Sequence, residues 1–132
     1  MILAVGSWRN SAGGGNAGHV RVYEYHFGYW MQLGSDLDGS RAREEFGTSV
    51  DLSRDGTKLT VGAGGLNGYV VSYEWNKRKK EWVQNGPVIE PPGQYEQFGA
   101  AVAVSGDGHT LIAGSPNYDD RGRAGVYQLV EV

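Results

Sequence analysis

Residues 46–63, FGTSVDLSRDGTKLTVGA, align without a gap to residues 98–115, FGAAVAVSGDGHTLIAGS. Both segments begin with Phe-Gly, contain a Ser-x-Asp-Gly step and end in Leu-x-x-Gly. Similarity of this kind within one chain indicates a repeat protein. The segment Ile2–Ser7 matches the end of the same unit, so the chain carries parts of three repeats.

Two shorter elements recur after the variable loops that follow these segments. They are Gly18–Tyr23, Gly68–Tyr73 and Gly122–Tyr127, and then Trp30–Gly34 and Trp82–Gly86. Apolar residues alternate with polar ones in most of them, which is typical of half-buried β-strands. Asp55-Gly56 and Asp107-Gly108 provide the positive φ of a tight hairpin turn. No stretch shows a helical period, so the sequence predicts an all-β fold.

The best-defined unit contains four strands joined by hairpins. We predict them at residues 46–53, 58–63, 69–75 and 81–85. A four-stranded antiparallel sheet that repeats about every 50 residues is typical of a β-propeller blade. We expect three strands in the first unit and three in the third, which makes about two and a half blades. The arrangement would be an open or partial propeller, or one completed by oligomerisation.

The repeats also define the domain organisation, with one repeat domain over residues 1–132. The predicted parts are residues 1–40, a partial blade whose first strand is missing; 41–92, a complete blade; and 93–132, a partial blade whose last strand is missing. Because a single sheet leaves both of its faces exposed, each blade must stack on a neighbour.

Composition excludes several classes of protein. The 132 residues include 22 glycines, but 11% of the chain is aromatic, which argues against low-complexity disorder. There is no cysteine, so disulfides and thiolate chemistry are absent. A net charge of −3 argues against a nucleic-acid partner, and no apolar run is long enough for membrane insertion. We find no signal peptide, and the localisation of the protein is unknown from its residues.

The repeated segments resemble the FG-GAP repeats that form the propeller of integrin α-subunits. The resemblance is carried by Phe46-Gly47, by Phe98-Gly99, and by the endings Val-Gly-Ala at 61–63 and Ala-Gly-Ser-Pro at 113–116. It implies an integrin α-like β-propeller, protein binding or cell adhesion, and a cell-surface or extracellular location for the parent protein. The same scaffold serves many functions, so the resemblance bears on fold more than on ligand.

Many FG-GAP repeats bind calcium through D-x-[DN]-x-D-G, and this chain departs from that pattern. In the second unit Asp51 and Asp55 are the only carboxylates at these positions, and Lys58 lies near the place of the last one. Calcium takes six to eight oxygen ligands. We therefore predict a tight turn and no metal or other cofactor, with calcium at Asp51 and Asp55 as the alternative.

We expect ligands to dock at the loops on one rim of the blades, at residues 7–18, 63–69 and 115–122. In the last of these loops, Asn117, Asp119 and Asp120 are the candidate ligand-binding residues. Neither a Ser/His/Asp arrangement nor paired carboxylates occur in the strands, so no catalytic residues and no enzyme are predicted.

The favoured function is a non-catalytic scaffold for protein interaction or adhesion. Its partners would be a protein ligand, neighbouring blades of a longer chain, or another copy. The alternatives are a calcium-stabilised propeller module and the accessory part of an enzyme with a rim site.

Two further motifs have simpler interpretations. Gly13–Gly18 satisfies G-x-G-x-x-G, but a strand pattern follows it where a dinucleotide site needs a helix, so we interpret it as a loop. Lys77–Lys80 is interpreted as the charged tip of a hairpin.

Overall fold

The structure is a computed structural model that describes residues 1–90, 97–117 and 121–130. These residues form strands, turns and loops, and none of them is helical. The strands are β1 (Ile2–Ser7), β2 (His19–His26), β3 (Tyr29–Gln32), β4 (Leu37–Asp38), β5 (Phe46–Leu52), β6 (Lys58–Ala63), β7 (Tyr69–Asn76), β8 (Glu81–Gln84), β9 (Ala101–Val104), β10 (Thr110–Ser115) and β11 (Arg123–Gln128). The prediction of an all-β fold is confirmed.

The described strands form three antiparallel sheets. The first has the order β1-β2-β3, with β4 also paired to β2; the second has the order β5-β6-β7-β8; and the third has the order β9-β10-β11. The four strands of the second sheet lie within one residue of the predicted bounds at each end. Among the described residues, no sheet closes on itself.

The prediction of three strands in the first unit was wrong, because β4 makes a fourth. Gly34 adopts a φ of +81° after β3 and redirects the chain, which then returns to β2. There Leu37 pairs with Val20 and Asp38 pairs with His19. A strand of two residues is too short to show alternation, so the sequence pattern could not reveal it.

The three sheets pack face to face, and their apolar residues form two cores. In the first core, Val20 and Val22 of the first sheet pack with Leu59 and Val61 of the second. In the second core, Val70 of the second sheet packs with Leu111 and Ala113 of the third sheet and with Phe98, which lies shortly before β9. Burial of such side chains contributes about 1.5–3 kcal/mol each, so the interfaces between sheets hold the fold together.

Repeated glycines set the spacing between successive sheets. The backbone of Gly6 approaches Gly47 so closely that a Cβ on Gly6 would overlap the Gly47 carbonyl oxygen. Gly62 and Gly99 repeat this relationship between the second and third sheets. The Phe-Gly that begins one repeat therefore contacts the glycine that ends the preceding one, which explains why both glycines recur in the sequence.

The recurring aromatic residues pack inside and between the sheets. Tyr73 meets Phe46 edge to face at 6.5 Å between ring centroids, and Tyr127 meets Phe98 in the same way at 5.9 Å. The indole N–H of Trp82 donates to the carbonyl oxygen of Leu33 in the first sheet across 3.0 Å. Tyr73, Tyr127 and Trp82 therefore contribute to packing.

Candidate functional site

A groove of about 320 Å³ lies where the loop after β4 meets the second sheet. We call it the Glu44 groove, and the residues of its lining that matter here are Phe46, Tyr69, Tyr73, Arg41, Glu44 and Leu66. The aromatic residues belong to β5 and β7. The charged residues belong to the loop between β4 and β5. Sheet and loop together therefore combine an aromatic wall with a charged rim.

The carboxylate of Glu44 is fixed in place by its hydrogen bonds. It accepts from the Ser40 backbone N–H at 3.1 Å, from the Ser40 hydroxyl at 3.4 Å and from the Tyr69 hydroxyl at 3.0 Å. Only 12% of the Glu44 side chain is exposed, and Arg41 Nε lies 3.9 Å from it. Hydrogen bonds to a carboxylate are stronger than those between neutral groups, so Glu44 presents a well-ordered negative charge.

Both tyrosines of the groove keep their protons at neutral pH. Burial, and then the charge of Glu44, raise the pKa of Tyr69 well above its ordinary value. Burial and the same carboxylate raise the pKa of Tyr73. Their hydroxyls are therefore hydrogen-bond donors beside a fixed acceptor. This chemistry suits the binding of a polar or charged group.

The two candidate calcium ligands of the sequence have other partners. Asp51 Oδ2 accepts from the Val104 backbone N–H at 2.7 Å, and its Oδ1 accepts from the Leu52 N–H at 3.0 Å. Asp55 Oδ1 accepts from the Ser53 hydroxyl at 2.9 Å and from the Thr57 backbone N–H and hydroxyl at 3.0 and 2.7 Å. Asp51 thus bonds to the third sheet, whereas Asp55 bonds within its own turn.

The turn around Asp55 is the tight turn that its sequence predicts. Gly56 has a φ of +73°, and its N–H donates to the carbonyl oxygen of Ser53. The Thr57 N–H and hydroxyl, together with Ser53, lower the pKa of Asp55 to about 2. Asp107 makes the corresponding bonds to Ser105 and His109 in the third unit. Both carboxylates therefore stabilise hairpins.

Of the ligand-binding residues predicted in the last loop, Asn117 lies within the described residues. The side-chain amide of Asn117 donates to Gln97 Oε1 at 2.6 Å, so the structure places it next to the start of the third unit. Asp119 and Asp120 lie outside the described residues. Asn117 does not line the Glu44 groove.

Sequence reasoning missed a cluster of His19, Asp36 and Asp38, whose ligand-type atoms lie within 4.8 Å of one another. His19 Nδ1 is 3.7 Å from Asp38 Oδ1. Arg21, however, donates two hydrogen bonds to Asp36, at 2.9 and 3.1 Å, and Gln32 donates a third at 2.6 Å. The guanidinium and the amide lower the pKa of Asp36.

Because Arg21 already supplies a positive charge at Asp36, the cluster is an ion-pair network and a poor cation site. Alternation along β2 places His19 and Arg21 on one face of the sheet, which the sequence shows. Asp36 lies directly before β4, and Asp38 lies in β4 itself. Since that strand was not predicted, neither was the cluster.

The two remaining motifs behave as expected. Gly18 is followed directly by β2, so the loop interpretation of Gly13–Gly18 is confirmed. At the tip of the hairpin between β7 and β8, Asn76 Oδ1 accepts from the backbone N–H groups of Arg78 and Lys79. The hairpin interpretation of Lys77–Lys80 is therefore also confirmed.

The chain matches no protein-family model and no curated protein sequence. In the part of the chain that the structure describes, no helix is long and apolar enough to cross a membrane.

Proposed function

We propose that the chain is a non-catalytic scaffold of β-propeller-type blades, related to the FG-GAP repeats, which binds a protein ligand at its loops and in the Glu44 groove. The observation that carries the proposal is the repeated contact between sheets, Gly6 with Gly47 and Gly62 with Gly99. An identical contact at each junction supports a regular stack of blades, because each sheet then meets the next in the same way.

The stack supports binding because it holds loops from successive repeats side by side. Leu66 and Asn67 come from the loop between β6 and β7, which the sequence predicts to be a binding loop, and both line the Glu44 groove. The groove joins apolar, hydroxyl and charged groups in one concave surface. Concave surfaces with a few fixed polar groups are typical binding sites, and a peptide segment with apolar and charged side chains would match this one.

The proposal is tested by selecting a random peptide library on phage against the immobilised 132-residue chain. The enriched peptides are synthesised, and their affinity is measured by fluorescence anisotropy. Two groove variants, Glu44→Gln and Leu66→Asp, remove the carboxylate charge and alter the apolar rim. A matched control, Val83→Asp, places the same new charge on β8, outside the lining of the groove.

We expect the selected peptides to lose at least about tenfold in affinity, or 1.4 kcal/mol, with either groove variant and to keep it with Val83→Asp. Failure to enrich any peptide would contradict a binding function for this surface. Equal binding to all variants would show that the ligand docks elsewhere on the chain and would remove the groove from the proposal.

A further inference from the structure

The outer side of the third sheet is an exposed apolar surface. Ile112 lies opposite Ala103 on one side and Val126 on the other, and Gly114 lies opposite Ala101 and Ala124 in the same way. Residues directly opposite one another in antiparallel strands share a face. We call this surface the third outer face, and it consists of Ala101, Ala103, Ile112, Ala124 and Val126.

This face is more apolar than its equivalent on the second sheet. There the positions of Ala101 and Ala103 are taken by Ser49 and Asp51, which hydrogen bond to Gly99 and Val104 of the third sheet. The face of the second sheet that is covered therefore carries the polar pair Ser49 and Asp51, whereas the uncovered face of the third sheet carries alanines at the same positions. Contiguous exposed apolar residues usually mark a surface that another protein covers.

The opposite end of the stack also carries an uncovered face that is rich in apolar residues. Leu3 pairs with Tyr23 in β2, and Tyr25 pairs with Trp30 in β3, so all four side chains lie on the side of the first sheet that points away from the second. Val5 lies on the same side, two residues after Leu3. We call this surface the first outer face. Its apolar residues are Leu3, Val5, Tyr23, Tyr25 and Trp30, and Arg21, which lies opposite Val5, adds its ion pair with Asp36 beside them.

Exposure of these residues contrasts with burial of their equivalents in the other repeats. Val5 is 44% exposed, but Val61, at the same repeat position, is 0% exposed. Val126 is 69% exposed, but its equivalent Val22 is 1% exposed. The two outer faces therefore display the two sides of an interface that the chain itself builds between its first and second sheets, where Val22 and Val61 belong to one buried core.

The aromatic pair of the first outer face already has the geometry of its covered equivalent. The rings of Tyr25 and Trp30 are 5.3 Å apart at 61°, and those of Trp75 and Trp82 are 5.4 Å apart at 58°. Trp82 is 7% exposed because Leu33 and Gly34, which directly follow β3, cover it, whereas Trp30 is 46% exposed. The surface is thus preorganised for a neighbour.

We infer that the third outer face of one chain docks on the first outer face of a second copy, so that copies stack head to tail and continue the existing order of sheets. The inference rests on the proposed scaffold function and names its partner. Val126 of one copy and Val5 of the next would enter one core, as Val22 and Val61 do inside the chain. Such a heterologous contact closes into a ring or extends into a filament.

The test uses two matched variants of the 132-residue chain, Val5→Glu and Val126→Glu, which place a charge on one outer face each. Mass is measured by light scattering after size exclusion. The wild-type chain should form a multiple of 14.3 kDa, and each variant alone should be monomeric. An equimolar mixture of the two should give only dimers, because one variant retains the third outer face and the other retains the first.

A monomeric wild-type chain at millimolar concentration would overturn the inference, and so would a single variant that keeps the wild-type mass. Formation of dimers in the mixture also proves that both variants are folded. A mixture that stays monomeric although both variants melt cooperatively would contradict head-to-tail docking. A monomeric chain that still binds the selected peptides in the Glu44 groove would leave the proposed function intact.

Discussion

The carboxylate of Asp51 accepts a hydrogen bond from the backbone N–H of Val104 across 2.7 Å and so ties the second sheet to the third. Ser49, two residues earlier on β5, makes a second tie through its hydroxyl to the carbonyl oxygen of Gly99 at 2.8 Å. Side chains two apart on a strand point to the same face. A residue type that resembles a cation ligand in sequence therefore acts here as a link between repeats.

Replacing Asp51 with alanine should lower the free energy of unfolding by about 1–2 kcal/mol, because a half-buried hydrogen bond to a charged group is lost and the Val104 N–H is left unpaired. Urea denaturation measures this change. Asp51→Asn keeps one acceptor oxygen and should cost less than Asp51→Ala. The amide of Val104 should also exchange faster in Asp51→Ala, and unchanged stability together with unchanged exchange would refute the link.

A methyl group at Gly62 should loosen the junction between the second and third sheets. Its Cβ would overlap the Gly99 carbonyl oxygen and crowd the hydroxyl of Ser49. We expect Gly62→Ala to destabilise the protein by about 1–3 kcal/mol, the usual cost of overpacking. Thermal unfolding in dilute solution reports the change.

Gly114→Ala is the matched control for Gly62, since it lies at the same repeat position in the third sheet. The nearest side-chain or backbone atom to its Cβ would be Ala101 Cβ at 3.7 Å, an ordinary contact. Its stability should change by less than about 0.5 kcal/mol, as is usual for surface substitutions. Equal effects of the two substitutions would mean that glycine is needed at this position for its backbone conformation, and that the close approach of Gly62 to Gly99 does not affect stability.

The sequence predicts the second sheet to within one residue because its signals are local. Alternation and the Asp55-Gly56 turn act over a few residues each. The hydrogen-bond partners of Asp51 and Glu44, in contrast, are distant in the sequence. Val104 lies 53 residues from Asp51, and Tyr69 lies 25 residues from Glu44. These contacts depend on how one sheet stacks on the next, which a single strand pattern does not encode.

Calcium should leave the stability of the chain unchanged. The oxygens of Asp51 are engaged by Val104 and Leu52, and Asp55 Oδ1 already accepts three hydrogen bonds from Ser53 and Thr57. Binding to the native state alone would raise the melting temperature in proportion to the logarithm of the calcium concentration. We expect the same melting temperature in millimolar calcium and in chelator. A concentration-dependent rise would instead establish a calcium-stabilised module.

Tyr69 should make the stability of the protein fall at alkaline pH. Its folded-state pKa is raised above the ordinary value of 10.0 by burial and by Glu44. Above that value the unfolded chain loses the phenolic proton while the folded chain retains it. Ionisation therefore favours the unfolded state, and the stabilisation is complete below pH 10 and lost as the pH rises further.

Tyr69→Phe removes both the hydrogen bond to Glu44 and this alkaline dependence. At pH 8 the variant should be less stable than the wild type by about 0.5–1.5 kcal/mol, the net value of one hydrogen bond. The difference should shrink by about pH 11, because only the wild type carries the ionisable group. Urea denaturation at both pH values measures it, with Tyr29→Phe on exposed β3 as the matched control, since Tyr29 does not line the groove. A difference in stability between wild type and Tyr69→Phe that stays constant from pH 8 to about pH 11 would mean that the Tyr69 phenol has the same pKa in the folded and unfolded states. Burial and Glu44 would then not raise the pKa of Tyr69 in the groove.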